Sequence, residues 1–415
     1  MTGLLSTNKL RNQIIMNGNG CKIQDSQGKE YLDFYSGVGC NILGYNHSKF
    51  TSILKKQTNK LIHIGSSFIT VEITEALQSL NSILPPHLTN VTFLNSGSEC
   101  VELALKIARA FTKKKWIIGF ERGYYGATIH AYSLSEPGKL SEYVPKDNSP
   151  RMLAPYCYHC PVNISYPSCN FKCLHKSLEC INEITKGENI AAIIFEPILS
   201  WGGIIIPLFG YFQELTRSIK KWGALLIADE VTTGMGRTGK WFAFEYDEIK
   251  PDILVIGKAL GNGFPVGVVA TTSEINNAIK GRFQHIQSHQ NDPFSAKVVS
   301  TVIDIIKNED LLHNCQAMGD YLLNQIKKLK DQYPVIADVR GRGLMIGMEL
   351  DSEGKKDFSQ LFYEFLYENG LILNICSDGV TFRMLPPYII TQKDIDFAVE
   401  RIKKSLDQAL SQTMN

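Results

Sequence analysis

Asp229 and Lys258 stand 29 residues apart, each directly after a run of apolar residues, 224–228 and 253–257. A lysine that follows a buried strand is partly desolvated, which lowers its pKa and favours imine formation with a carbonyl. A buried aspartate keeps a heterocyclic nitrogen protonated and so strengthens the ring as an electron sink. A structural ion pair made by Asp229 with another base, and a surface Lys258, fit the spacing equally well. Two further runs end on polar residues: 91–94 leads into Asn95-Ser-Gly-Ser-Glu99, and 190–195 leads into Glu196-Pro197. Ser96 and Glu99 have the spacing of a helix capping box. Gly97 lets the backbone come close to a ligand, and the first amides of a helix attract an anion. A capped helix with no ligand accounts for the same five residues.

These side chains need a scaffold that gathers strand ends. Between residues 90 and 272, short apolar runs at 91–94, 116–120, 190–195, 224–228, 253–256 and 266–270 alternate with helical stretches at 98–111 and 209–222. Such alternation is the pattern of an α/β fold whose parallel sheet is covered on both faces. Ligands then sit at the carboxyl ends of the strands. The chain is therefore expected to form a large, mostly parallel-sheet domain over residues 46–294. A smaller α+β domain is expected from both chain ends, 1–45 and 295–415. Residues 20–34 read as short strands broken by a turn at 25–28. The C-terminal part reads as helices at 296–306, 311–330 and 393–410, with strands at 343–350 and 371–373.

Composition removes several classes of function. Forty-three lysines and arginines against 41 aspartates and glutamates leave a net charge of +2, so no global field draws nucleic acid or anionic lipid. Hydrophobic residues at 44% and charged residues at 20% do not describe a disordered chain. The apolar runs fall far short of the roughly 20 residues that a spanning helix needs. The first twenty residues lack the basic start and apolar core of a secretory signal, so a cytoplasmic protein is expected.

In chain order, Asn95-Ser-Gly-Ser-Glu99, Gly123-Tyr-Tyr-Gly126, Glu196-Pro197, Asp229-Glu-Val-Thr-Thr-Gly-Met-Gly-Arg-Thr-Gly239 and Gly257-Lys-Ala-Leu260 resemble the motifs of class III aminotransferases. These are pyridoxal 5′-phosphate (PLP) enzymes of fold type I. The resemblance runs from Gly28-Lys-Glu-Tyr-Leu-Asp33 to Arg383-Met-Leu-Pro-Pro387. It implies that Lys258 forms the internal aldimine and shuttles a proton, and that Asp229 pairs with the pyridine nitrogen. It implies that Val231 and Tyr124 flank the ring and that Gly97 and Ser98 hold the phosphate. Ser288 stands where many relatives have a threonine reaching the phosphate in the partner subunit, which implies a homodimer with shared sites. Arg383 is implied as the clamp for the substrate carboxylate, through two parallel hydrogen bonds. Glu196 is implied as its counter-ion, either swinging aside for a second substrate or permanently paired.

Two positions depart from the family. Tyr125 replaces a common histidine, which puts hydrogen bonding near the cofactor in question. His159 replaces an arginine carried by many relatives, which weakens recognition of a second, distal carboxylate. The implied reaction is transfer of an amino group from an amino acid or amine to a 2-oxo acid. Racemisation or epimerisation, and lyase or decarboxylase chemistry, begin with the same step and remain open as alternatives. The ten cysteines divide into six scattered ones, expected to be small buried residues, and the cluster Cys157-x2-Cys160-x8-Cys169-x3-Cys173. The middle spacer is short for a zinc ribbon, so a reduced loop is favoured and no metal ligand is assigned.

Overall fold

The computed structural model describes residues 11, 13–135, 149–165, 167–351 and 357–413. At its centre is a seven-stranded sheet in the order Asn90–Leu94, Gly267–Thr271, Ile253–Ile256, Leu225–Glu230, Ile190–Phe195, Trp116–Phe120 and Arg151–Met152. The last five pair in parallel. Gly267–Thr271 runs antiparallel to both neighbours, a correction to the parallel reading of residues 266–270. An apolar run carries no information about strand direction, which is set by the length of the connection. Here the connection from Ile256 to Gly267 is too short for a crossover helix.

Both faces of the sheet are buried. Along Leu225–Ala228 and Ile253–Ile256, successive side chains enter two separate hydrophobic clusters in turn, as the two-residue period of a strand requires. One cluster takes the apolar stripe of the helix Gly97–Thr112, including Val101, Ala104 and Ala108. The other takes Phe212 and Leu215 of Tyr211–Ile219 and reaches the long helix Pro293–Asn308. That helix packs on Val71–Asn81, which with Ser48–Thr58 was not anticipated from the sequence.

Two smaller sheets flank the centre. Ile15–Asn19, Lys22–Asp25 and Glu30–Asp33 form an antiparallel meander, completed in parallel by Leu371–Ile372 from the far end of the chain. Ile336–Arg342, Met345–Leu350, Thr381–Met384 and Asn374–Ile375 form an antiparallel sheet. Helices Leu311–Gln332, Phe358–Glu368 and Gln392–Thr413 accompany it. Among the described residues, no helix is long and apolar enough to cross a membrane. All ten cysteines are free, and Cys180 is exposed and Cys40 half-buried, unlike the buried role expected for the scattered set.

Candidate active site

Four strand ends deliver the side chains singled out above to one edge of the central sheet. Leu225–Glu230 carries Asp229 as its fifth residue, 4% exposed. Asp229 Oδ1 accepts the Val231 N–H at 3.0 Å, and Oδ2 accepts no hydrogen bond among the described residues. Burial pushes its carboxyl up to about 7, against the pull of that N–H and of Lys258. Lys258 follows Ile253–Ile256 and begins a short 3-10 turn, with φ at +43°, a left-handed value that a non-glycine residue adopts only where its surroundings force it. Its Nζ donates to Thr232 Oγ1 at 2.5 Å. Burial, reinforced by the Arg383 charge, holds the Lys258 ammonium below the usual lysine range. Thr232 was not singled out from the sequence, although it lies inside the Asp229–Gly239 motif.

The anion cradle is built by close approach. Ser96 caps the sixteen-residue helix Gly97–Thr112 by accepting the Glu99 N–H, while the Glu99 carboxylate takes the Asn95 N–H. A Cβ on Gly97 would come 2.8 Å from Val231 Cγ1, so Val231 lies directly against the loop. Gly257 presses on the same side chain, with its ideal Cβ 3.3 Å from Val231 Cγ1 and 3.6 Å from Gly97 Cα. The loops after residues 94 and 256 thus touch, although a strand separates theirs. Ser98 Oγ accepts the Ala127 N–H at 2.9 Å, which ties the first helical turn to the Gly123–Gly126 motif. Free helical amides, a glycine with no room for a side chain and a buried acid with one unused oxygen fit a phosphorylated pyridine cofactor.

Tyr124 is part-exposed, its ring 6.4 Å from that of Trp201, and its N–H donates to Glu196 Oε1 at 2.9 Å. Tyr125 points the other way. It is buried, its hydroxyl accepts the Phe120 N–H at 2.9 Å and donates to Ile194 O at 3.2 Å, and it fastens two strands together. The departure from histidine therefore sits in the core and does not alter hydrogen bonding around the cofactor cradle.

Glu196 and Arg383 do not form the ion pair expected of them. Glu196 Oε2 accepts the Ser200 N–H at 3.2 Å, and burial beside Asp229 pushes its carboxyl up to about 8. Arg383, 2% exposed, donates to Ser200 Oγ and Asn374 Oδ1, both at 3.0 Å, and its Nε is buried without an acceptor. Ser200 stands between them, its N–H on Glu196 and its hydroxyl on Arg383. His159 turns to Glu349 Oε1 at 2.5 Å, in a network with Tyr156 and Arg340. Ser288 is exposed, and no hydrogen bond among the described residues joins it to the others.

Comparison with known proteins agrees with this arrangement. The family model described as aminotransferase class III matches residues 6–406. A leucine/methionine racemase of Thermococcus litoralis is 31% identical, with 95% of this chain and 90% of that protein covered. An acetylornithine aminotransferase of Methanosarcina acetivorans is 34% identical, with 94% and 91% covered. The crystal structure of an omega transaminase of Pseudomonas jessenii in complex with PMP superposes with a TM-score of 0.93 at 25% identity, covering 99% and 97%. With the family's motifs on the strand ends of its fold type I sheet, the chain belongs to the class III aminotransferases, PLP enzymes that pass an amino group from a donor to a 2-oxo acid.

Proposed function

We propose that the donor of this aminotransferase is an amino acid with one carboxylate and an apolar or aromatic side group, and that Arg383 is its clamp. The observation that carries this reading is the state of Arg383. It is a buried guanidinium whose protein partners are a serine and an amide, with Nε unused, and no carboxylate pairs with it among the described residues. Its charge is available for a carboxylate, which it would bind by two parallel bonds. Tyr124 and Trp201 supply aromatic wall nearby. His159, committed to Glu349, offers no second cationic clamp.

The remaining roles follow from what each residue can do. PLP, when bound, supplies the electron sink that makes loss of the substrate α-proton feasible. Lys258, with its pKa lowered, is the group that takes and returns that proton, and Thr232 orients it. Asp229 offers Oδ2 to the pyridine nitrogen. Gly97 and Ser98 hold the phosphate through backbone amides, Val231 and Tyr124 flank the ring, and Glu196 braces Tyr124 through its backbone N–H. Ser288 serves the phosphate of a second copy, so the working unit is a homodimer. The division into residues 1–45, 46–294 and 295–415 belongs to the same proposal. It is supported by the sheet that joins Glu30–Asp33 to Leu371–Ile372. A cytoplasmic location is also proposed, because ten free thiols suit a reducing compartment.

Racemisation is the second reading, favoured by the Thermococcus relative. Single amino donors added without an oxo acid separate the two. A transaminase converts its cofactor to PMP once and stops until a 2-oxo acid is supplied. A racemase leaves the cofactor spectrum in place while optical activity decays, and a lyase or decarboxylase breaks the donor down. Either of the latter results refutes amino-group transfer, and equal use of donors with and without a carboxylate refutes the donor assignment.

A further inference from the structure

Amino-group transfer uses none of Cys157, Cys160, Cys169 and Cys173, yet the fold brings all four to one place. They line a single cavity of about 20 Å³, walled otherwise by Tyr156, Phe171 and Tyr211. A space of that size holds one body of the dimensions of a water or an ion, since a water needs roughly 10–15 Å³ by the same measure. The short middle spacer is therefore no obstacle. Cys157 and Cys160 come from the turn after Arg151–Met152, while Cys169 and Cys173 bracket the start of the helix Lys172–Thr185.

The surroundings suit thiolates held by a cation. Cys173 is in the first turn of that helix, where amides stabilise negative charge. The Ile164 N–H points at Cys160 Sγ at 3.5 Å, a bond that strengthens when the sulfur is anionic. A bound metal ion is what makes several adjacent thiolates tenable.

We propose that Cys157, Cys160, Cys169 and Cys173 form a four-cysteine structural zinc site. Each thiol gives its proton to solvent as the Zn–S bond forms. Four sulfurs close the coordination shell, which excludes a catalytic role, and soft thiolate ligands select zinc over magnesium, calcium or manganese. In a tetrahedral site with Zn–S near 2.3 Å the sulfurs stand about 3.8 Å apart. Among the described residues the one group of three or more such side chains whose ligand atoms already lie within 4.8 Å of one another is His63, His289 and Asp292. Zinc must therefore draw the cysteine loop inward. The loop is already fixed on one side, where Tyr156 and His159 bond to Glu349 and the Arg122 guanidinium lies 5.2 Å from the Tyr156 ring. Zinc would fix the other side to the helix Lys172–Thr185. The His63–His289–Asp292 group has a sufficient explanation without metal. Both imidazoles bond to Asp292 Oδ2, and Oδ1 caps the helix Pro293–Asn308 through the Phe294 N–H.

The test is the metal content of the full-length holoenzyme, produced with zinc in the medium, and its release by a thiol-specific mercurial read with a zinc indicator. About one zinc per chain is expected, released as about four thiols react. Cys160→Ser and Cys169→Ser should each abolish it, and Cys21→Ser and Cys180→Ser should retain it. Cobalt substitution of the unmutated protein should give a thiolate-to-cobalt charge-transfer band, which decides the matter even if the cysteine variants do not fold. Freshly prepared protein without stoichiometric zinc and without that band overturns the proposal. So does zinc that survives both cysteine variants and disappears in His63→Ala, or mass spectrometry showing the loop cysteines joined as disulfides.

Discussion

Gly97→Ala adds one methyl group where the cofactor cradle is tightest. Its Cβ would stand 2.8 Å from Val231 Cγ1 and 3.0 Å from Cγ2, both closer than carbon atoms tolerate. The backbone itself accepts alanine, since Gly97 does not occupy the left-handed region. Taken alone, the helix gains about 0.5–1 kcal/mol from losing a glycine. Against this, forced overpacking costs about 1–3 kcal/mol. Val231 is β-branched, has little rotamer freedom, and has Gly257 packed against the same methyl, Cγ1. Overlap therefore wins by about 1–2 kcal/mol, and because the loop that moves is the one facing the phosphate, the cost falls on cofactor binding. PLP affinity should drop about 5- to 30-fold, measured by titrating apoprotein with PLP and following absorbance. Val231→Ala removes both opposing methyls, so the double variant should bind PLP within about threefold of Val231→Ala alone, a coupling of about 1–2 kcal/mol. If Gly97→Ala binds PLP as tightly as the unmutated protein, or if Val231→Ala fails to rescue it, the cradle reasoning is wrong.

Three other outcomes are expected. Lys258→Ala should cut amino-group transfer at least ~100-fold while PLP remains bound noncovalently, and a variant that keeps full turnover would remove Lys258 from the proton path. Arg383→Lys should raise KM for amino acids about tenfold or more while leaving amines without a carboxylate unaffected; equal losses for both donors refute the clamp. Glu230 is fully buried, accepts from Thr233 Oγ1 and the Phe244 N–H, and is pushed by burial from 4.5 up to about 8. The folded state keeps a proton there that the unfolded state has already lost, so stability is greatest below pH 4.5 for this group and declines as pH rises towards 8. The melting temperature of the apoprotein should fall across that window, and Glu230→Gln should flatten the fall; an equal decline in both proteins contradicts it.

The strands and their ends were legible because buried parallel strands leave continuous apolar runs, and the residue that stops each run faces the ligand edge. Trp116–Phe120, Ile190–Phe195 and Ile253–Ile256 appear where the runs lie. What stayed hidden depends on partners distant in the chain. Ile336–Arg342 is a strand in which only Ile336 and Val339 are buried, and it carries two arginines and an aspartate, so its hydrophobic signal is weak. Tyr125 sits inside a cofactor motif, yet its hydroxyl is claimed by Phe120 and Ile194, which no local pattern reveals. The separation of Glu196 from Arg383 was equally unreadable, because Ser200, the residue between them, bonds to one through its backbone and to the other through its side chain.

That serine bears on how a single pocket serves two substrates. A carboxylate paired with Arg383 would have to be displaced by every incoming acid, and substrates with and without a distal carboxylate could then be told apart by its swing. Here Glu196 is buried with Tyr124 and Ser200 N–H groups on its two oxygens, so moving it would break both bonds. Arg383 has no carboxylate partner among the described residues, and its charge is among the causes that lower Lys258. If Arg383 is the clamp proposed above, donor amino acid and acceptor oxo acid would present the same group, one carboxylate, to the same guanidinium. Discrimination among them falls to the walls around Tyr124 and Trp201, where it is a matter of shape and apolar contact and each methylene contributes only about 1–3 kcal/mol. A pocket of that kind would accept a range of single-carboxylate side groups, and His159, bonded to Glu349, would offer a second carboxylate no clamp.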